Sequence, residues 1–214
     1  MREGKFMSTI LAFGDSNTWG LIPGTTERYA WGTRWTSLVQ KELSNNARII
    51  EDGLCGRTTV FEDQLRPFRK GAETLSLSLE SNYPLDAAII MLGTNDCKKR
   101  FGTNPHIIGK GLEICLDELE KYVDPENILV VSPIELGAEV WRPEKDPEFD
   151  SFSVETSKGL KEEYQRIASK RGNQFLAASD FAMPSSVDDE HMDEGGHSNL
   201  ANAVVKKLHD MKVA

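Results

Sequence analysis

Short apolar runs alternate along the chain with longer segments in which apolar residues recur at helical spacing. The runs lie at about residues 8–13, 47–51, 86–92, 127–132 and 173–178. Apolar runs of this length, bounded by glycine or polar residues, are typical of buried strands. Because strand and helix patterns alternate throughout, the sequence predicts an α/β fold with a parallel sheet covered by helices on both faces.

Local signals place several helices between these runs. Asn104-Pro105 is a favourable cap and first-turn pair, and Gly172 is a favourable helix end. The segment Leu75-Ser76-Leu77-Ser78-Leu79 fits either a helix or a half-buried strand, and we interpret it as a helix. No repeat, low-complexity stretch or linker divides the 214 residues, so we expect a single domain over 1–214, with 1–6 as a loose leader.

Residues 133–156 fit neither periodic pattern and predict a long loop insertion. The segment contains three prolines and several aromatic residues, among them Trp141. A loop of this length inside a compact domain is usually functional or part of an oligomer interface. Its aromatic residues would line a substrate pocket, bury against another subunit or simply cap the core beneath.

Composition excludes some classes of partner. The formal net charge is −9, whereas nucleic acids and anionic membranes are bound by clustered Lys and Arg. We therefore expect no nucleic-acid or membrane partner. The three cysteines, Cys55, Cys97 and Cys115, have no CxxC spacing, and no secretory signal is recognisable, which together indicate a cytoplasmic protein with free thiols.

Ser16 lies directly after the first predicted strand, in the segment Gly14-Asp15-Ser16. That position is the carboxyl edge of the sheet, where ligands bind in open α/β folds. A serine hydroxyl becomes a nucleophile when a base accepts its proton. Asp188 and His191, three residues apart near the C-terminus, offer a base and a carboxylate to orient it, although on spacing alone they are also ordinary residues of an acidic loop.

Two further loops follow predicted strands and should open at the same edge. One begins at Gly53, whose backbone N–H is a candidate oxyanion donor. The other contains Asn95, whose side-chain amide is a second candidate, beside the backbone N–H of Ser16 itself. Donors of this kind stabilise the tetrahedral intermediate of acyl transfer by about 3–4 kcal/mol each.

Four ordered motifs carry a resemblance to a known family. They are Gly-Asp-Ser-Asn-Thr-Trp-Gly at 14–20, Gly-Leu at 53–54 followed by Arg-Thr-Thr at 57–59, Met-Leu-Gly-Thr-Asn-Asp at 91–96, and the Asp188–His191 segment. In this order they resemble the SGNH (GDSL-type) hydrolases, specifically the arylesterase/acyltransferase subgroup. The sequence departs from the family pattern at Asn17, where leucine is usual, and at Asp189-Glu190, where glycine and an aliphatic residue are usual.

The resemblance implies a three-layer α/β/α flavodoxin-like fold with five parallel strands. It implies Ser16 as nucleophile, His191 as base and Asp188 as its partner, with an oxyanion hole of Ser16, Gly53 and Asn95. It also implies hydrolysis of short-acyl esters, including aryl esters, with transfer of the acyl group to an alcohol as a second outcome. We expect no cofactor, and no metal, because no cysteine or spaced histidine pair supports zinc ligation. Carbohydrate deacetylase, thioesterase and lysophospholipase activities remain alternatives on the same scaffold.

Further expectations concern the substrate entrance and the assembly. We expect Trp19 and Trp141 to contact the substrate, although large aromatic residues are more often core. The subgroup includes closed multimers, so a homo-oligomer with 133–156 at its interface is expected. Competing interpretations are a catalytic thiol at Cys55 or Cys97, a metal site at Asp188 and His191, and a non-catalytic phosphate-binding module.

Overall fold

Five parallel strands form one sheet in which the second strand of the chain lies at one edge, followed by the first, third, fourth and fifth, which is the flavodoxin-like order. The computed structural model describes residues 7–214, so the predicted leader at 1–6 lies outside the described residues. All five predicted strands are confirmed, with ends within two residues of the predicted bounds. The strands are β1 (Ser8–Gly14), β2 (Ala47–Gly53), β3 (Ala87–Met91), β4 (Ile128–Ser132) and β5 (Gln174–Ala177).

Helices cover both faces of this sheet. A short helix, α1, follows β1, and five longer helices form the two outer layers. The helices are α1 (Ser16–Trp19), α2 (Trp35–Leu43), α3 (Gly71–Asn82), α4 (Pro105–Leu119), α5 (Ser151–Arg171) and α6 (Glu194–Asp210). The predicted three-layer α/β/α fold is therefore confirmed.

The two hydrophobic layers follow from the alternation of side chains along each strand. In β1, Ile10 and Ala12 pack with α2 and α6, whereas Leu11 and Phe13 pack with α3, α4 and α5. All four side chains are buried. A strand buried on both faces reads as a continuous apolar run, which is why the sequence pattern identified the strands so closely.

Local sequence signals define the helix ends. The Asn104 side chain accepts the N–H of Ile107 at 3.0 Å, with Pro105 as the first residue of α4. Gly172 ends α5 in the left-handed conformation, with φ of +78°. The ambiguous 75–79 segment is helical, because Leu75 and Leu79 are buried while Leu77 between them is 67% exposed.

The predicted loop insertion at 133–156 is shorter than expected. Its irregular part is 133–150, and residues from Ser151 onward already belong to α5, which begins with an Asp150 capping box. The aromatic residues of the segment differ in burial, and only the core-capping role is seen directly. Phe149 is buried and caps the core, whereas Trp141 and Phe152 are exposed.

Candidate active site

The carboxyl ends of the strands surround a cavity of about 510 Å³. Ser16 comes from the end of β1, Asn95 from the loop after β3, and His191 from the segment between β5 and α6. Parallel strands bring their carboxyl ends to one edge, so residues far apart in sequence meet there. All three line the cavity.

Ser16, His191 and Asp188 form a continuous hydrogen-bonded relay. His191 Nε2 lies 2.9 Å from Ser16 Oγ, and His191 Nδ1 lies 2.8 Å from Asp188 Oδ2. A neutral imidazole that donates from Nδ1 to the carboxylate leaves Nε2 as the acceptor of the serine proton. The structure thus brings together the three residues that the sequence placed in this relay.

Backbone hydrogen bonds hold Asp188 in position. Its Oδ1 accepts the N–H groups of Glu190 and His191, each at 3.0 Å, and its Oδ2 also accepts the N–H of Gly24 at 2.9 Å. The carboxylate therefore organises the turn that carries His191 as well as contacting the imidazole ring.

Neighbouring carboxylates shift the pKa of His191. Burial lowers this pKa, but the charges of Glu190, Asp188 and Asp15 raise it by more, to about 9. Glu190 Oε1 lies 3.8 Å from His191 Nε2. Burial raises the pKa of Asp188, but the hydrogen bond from His191 and the charge of His191 lower it by more, so this pKa lies below its usual value. The site therefore favours an ion pair of imidazolium and carboxylate.

The turn that presents Ser16 is tightly packed. A Cβ at Gly14 would lie 2.1 Å from Thr18 Oγ1, so only glycine fits at the end of β1. Asp15 is fully buried and its Oδ1 accepts the N–H of Asn17, which caps α1. Burial raises the pKa of Asp15 to about 6. Asp15 therefore stabilises the turn that carries Ser16.

Asn95 lies beside Ser16 in the cavity. The side chain is 2% exposed, and Nδ2 donates to the Arg57 carbonyl at 3.2 Å. Because an amide nitrogen has two protons, this bond fixes the orientation of the group and leaves a second N–H for a ligand.

Gly53 does not line the cavity, contrary to its predicted role as an oxyanion donor. The Leu54 N–H donates to Gly14 O across β1 and β2, so the preceding N–H of Gly53 points away from β1. A Cβ at Gly53 would lie 2.2 Å from the Trp19 backbone nitrogen. The glycine instead permits α1 to approach β2.

Gly56, which the sequence reasoning missed, does line the cavity with Ser16 and Asn95. Its N–H donates no hydrogen bond within residues 7–214. Its φ of +83° is suited to glycine. No local signal in the sequence marks Gly56 over Gly53, since the role of donor depends on which N–H group faces the cavity.

Neither Trp19 nor Trp141 lines the cavity, contrary to the expectation that they contact substrate. Trp19 stacks under the Arg28 guanidinium, and the Trp141 indole donates to Ala138 O at 3.1 Å. The loop containing Trp141 does contribute to the wall, through residues 144–148.

The cavity wall is rich in charged side chains. Lys98 is 2% exposed and bonds Glu148, which also pairs with Arg66 and Arg100. The charged residues on the wall, beyond the relay itself, are Arg66, Arg69, Lys98, Glu144, Lys145, Asp146, Glu148 and Glu190.

The alternative chemistries find little support at this site. Cys55 lines the cavity, but burial raises the pKa of its thiol to about 11, and burial likewise raises the pKa of Cys97. A thiol that stays protonated is a poor nucleophile. Within the part of the chain that the structure describes, no three His, Cys, Asp or Glu side chains are grouped to hold a metal ion.

Comparison with known proteins agrees with this geometry. The profile of the GDSL-like lipase/acylhydrolase family matches residues 12–209. The chain belongs to this family. It is therefore a carboxylic ester hydrolase, as the four motifs implied.

Solved structures of family members are similar over nearly the whole chain. An aryl esterase from M. smegmatis is 32% identical, with a TM-score of 0.89 over 95% of this chain and 99% of that chain. A carbohydrate acetylesterase from Sinorhizobium meliloti is 33% identical, with a TM-score of 0.87 over 95% and 99%. No curated protein matches the chain. None of the helices within residues 7–214 is long and apolar enough to cross a membrane.

Proposed function

We propose that this GDSL-family hydrolase is a serine esterase that acts through an acyl-enzyme. Ser16 Oγ attacks the ester carbonyl while His191 accepts its proton, and His191 then protonates the departing alcohol. Water attacks the acyl-enzyme by the reverse path, which releases the carboxylic acid and restores Ser16. The observation that carries this proposal is the relay from Ser16 Oγ through His191 to Asp188, with distances of 2.9 Å and 2.8 Å.

The oxyanion of the tetrahedral intermediate would be bound by the N–H of Ser16, the N–H of Gly56 and the side-chain amide of Asn95. Ser16 is the first residue of α1, so its N–H has no partner within the helix. Gly56 takes the role that the sequence had suggested for Gly53. Donors fixed before the reaction stabilise the developing charge without reorganisation.

The wall of the cavity favours a short acyl group on a hydrophilic alcohol. Nine of the twenty residues that line the wall are charged, and Leu21 and Val187 are its large aliphatic residues. Acetyl esters of polyhydroxyl compounds therefore fit the cavity better than esters of long-chain acids. The similarity to a carbohydrate acetylesterase at 33% identity supports this substrate class. Aryl acetates are the second candidate, supported by the aryl esterase at 32% identity.

Initial rates on matched esters test this proposal. We expect 4-nitrophenyl acetate to be hydrolysed with a much higher kcat/KM than 4-nitrophenyl octanoate, and acetylated xylo-oligosaccharides to release acetate. Equal kcat/KM values for the acetyl and octanoyl esters would contradict a pocket for short acyl groups. Release of 4-nitrophenol without release of acetate from any acetylated sugar would favour the aryl-ester alternative.

A homo-oligomer remains part of the proposal. Trp141 and Phe152 are 42% and 60% exposed, and Leu65 and Phe68, beside the cavity residues Arg66 and Arg69, are 75% and 80% exposed. Exposed apolar side chains mark a subunit interface when they form a contiguous patch, and these four residues are the candidates for one. Light scattering tests this point: we expect a multiple of 23.9 kDa, and a mass equal to 23.9 kDa would contradict it.

A further inference from the structure

Glu190 is a buried carboxylate that faces the cavity and has no hydrogen-bond partner among the described residues. The residue is 6% exposed and lines the cavity. Its backbone is fixed at both ends, because the N–H donates to Asp188 and the carbonyl accepts from Asn17. The carboxylate oxygens accept no hydrogen bond from residues 7–214, and the nearest cationic atom is His191 Nε2 at 3.8 Å. Because Glu190 lines the cavity, its oxygens are open to a hydrogen-bond donor from the solvent or the substrate.

The location of this carboxylate identifies the donor. His191 Nε2 is the atom that exchanges a proton with Ser16 Oγ, with the departing alcohol and with the attacking water. Glu190 lies on this side of the imidazole, whereas Asp188 lies at Nδ1 on the other side. An O–H group that approaches Nε2 from the cavity is therefore brought close to Glu190.

We propose that Glu190 is a specificity-determining residue for the acyl acceptor, selecting water or an acceptor with two adjacent donors over a simple alcohol. This inference rests on the proposed acyl-enzyme mechanism. Water has two O–H groups, one for His191 Nε2 and one for Glu190. Ethanol has a single O–H, which His191 uses, so its ethyl group would face a buried carboxylate.

The deacylation step balances without any additional reactant. The water oxygen attacks the acyl carbonyl of Ser16, one water proton passes to His191 Nε2, and the second O–H stays hydrogen-bonded to Glu190. The intermediate then collapses as the bond from the carbonyl carbon to Ser16 Oγ breaks, and His191 returns the proton to Ser16. Glu190 gains and loses no proton in this sequence, so it is a positioning group for the acceptor.

A diol or an amino alcohol should share the advantage of water. One hydroxyl of ethylene glycol can donate to His191 while the neighbouring hydroxyl donates to Glu190. This geometry matches vicinal hydroxyl groups of a polyhydroxyl compound, so Glu190 would recognise the alcohol portion of the substrate in the acylation step as well.

The partitioning of the acetyl-enzyme tests the proposal. The donor is 4-nitrophenyl acetate, the competing acceptors are water with either ethanol or ethylene glycol, and the products are acetate and the new ester. The variants are Glu190→Leu, which removes the acceptor at similar volume, and Glu190→Gln, which keeps a carbonyl oxygen but no charge. Glu144→Gln, which removes another carboxylate from the cavity wall, is the matched control.

The ratio of the two products isolates the role of Glu190. Any change in the basicity of His191, or in acylation, affects both products equally and cancels from the ratio. We expect Glu190→Leu to shift partitioning from water toward ethanol by about tenfold, the effect of one hydrogen bond to a charged group. The preference for glycol over ethanol should disappear in the same variant. Glu190→Gln should be intermediate, and Glu144→Gln should leave the ratio unchanged.

The possible failures are distinguishable. Identical ratios in wild type, Glu190→Leu and Glu190→Gln would overturn the role of Glu190 while leaving the esterase mechanism intact. A wild-type product ratio that changes when phenyl acetate replaces 4-nitrophenyl acetate would overturn the acyl-enzyme mechanism itself, because a common acetyl-enzyme partitions independently of its donor. If Glu190→Leu does not fold, the Gln variant still decides the question, because its ratio must then differ from that of the wild type.

Discussion

The side chain of Asn17 is hydrogen-bonded to Met192, although 175 residues separate the two in sequence. Asn17 Oδ1 accepts the N–H of Met192 at 3.0 Å, and Nδ2 donates to the carbonyl of Glu190 at 3.2 Å. One side chain thus binds the residues on either side of His191. Asn17, the residue next to the nucleophile, therefore holds His191 in position against Ser16. These two hydrogen bonds explain why asparagine is suited to this position of the motif.

Replacing Asn17 with alanine should misplace His191. Both backbone groups would lose buried partners, so we expect the free energy of unfolding to fall by about 1–3 kcal/mol. A small displacement of the base should lower kcat by about tenfold to a hundredfold. Urea unfolding and steady-state kinetics on 4-nitrophenyl acetate measure the two effects. Asn199→Ala on the exposed face of α6 is the control, and an Asn17→Ala enzyme with the kcat of that control would contradict the positioning role.

Replacing Gly53 with alanine should destabilise the protein, because the new methyl group would overlap the Trp19 backbone. We expect a loss of about 1–3 kcal/mol, typical of overpacking, and lower activity as α1 moves with Ser16. Thermal unfolding measures the change. Gly195→Ala in the first turn of α6, where the nearest atom would be 3.3 Å away, should have little effect. Unaltered stability of Gly53→Ala would mean that Gly53 is not a packing position.

The sequence predicted the strands closely because a buried parallel strand leaves a continuous apolar run. It also identified Ser16, Asn95, Asp188 and His191, because each lies in a short motif just beyond a strand or in a compact turn. These signals are local, and the structure brings the four residues to one cavity.

The remaining features depend on contacts between distant segments. Nothing in the local sequence distinguishes Gly53 from Gly56 as the oxyanion donor, since that role depends on which N–H group faces the cavity. The two side-chain hydrogen bonds of Asn17 join it to residues near the other end of the sequence. Lys145, whose Nζ lies 2.8 Å from Asp189 Oδ2, ties the irregular loop to the histidine turn, and no periodicity in the loop could have revealed this pair.

Replacing Asn95 with alanine should lower kcat by about 10²–10³ with a small change in KM. An oxyanion donor acts mainly on the transition state, so its loss affects the chemical step more than substrate binding. Steady-state kinetics with 4-nitrophenyl acetate gives both parameters. A rise in KM with an unchanged kcat would instead assign Asn95 to substrate binding.

Activity should rise with pH until His191 is neutral. The imidazole accepts the serine proton only when deprotonated, and the charges of Glu190, Asp188 and Asp15 outweigh burial to raise its pKa to about 9. We therefore expect kcat/KM to increase through pH values near 9. Glu190→Gln removes one of these charges and should move the rising limb to lower pH, whereas Glu144→Gln should not. An unshifted limb in Glu190→Gln would contradict the electrostatic coupling of Glu190 to His191.

Covalent labelling of Ser16 tests the central claim most directly. A fluorophosphonate reacts with a serine only when a neighbouring base activates it, and the intact mass of the protein then increases by one phosphonyl group. We expect stoichiometric labelling of the wild type at alkaline pH, with the adduct on the peptide containing Ser16, and none in Ser16→Ala. His191→Ala should label far more slowly, although its serine is intact. An adduct on any other residue, or a Ser16→Ala enzyme that hydrolyses 4-nitrophenyl acetate at the rate of the wild type, would contradict the assignment of Ser16 as the nucleophile.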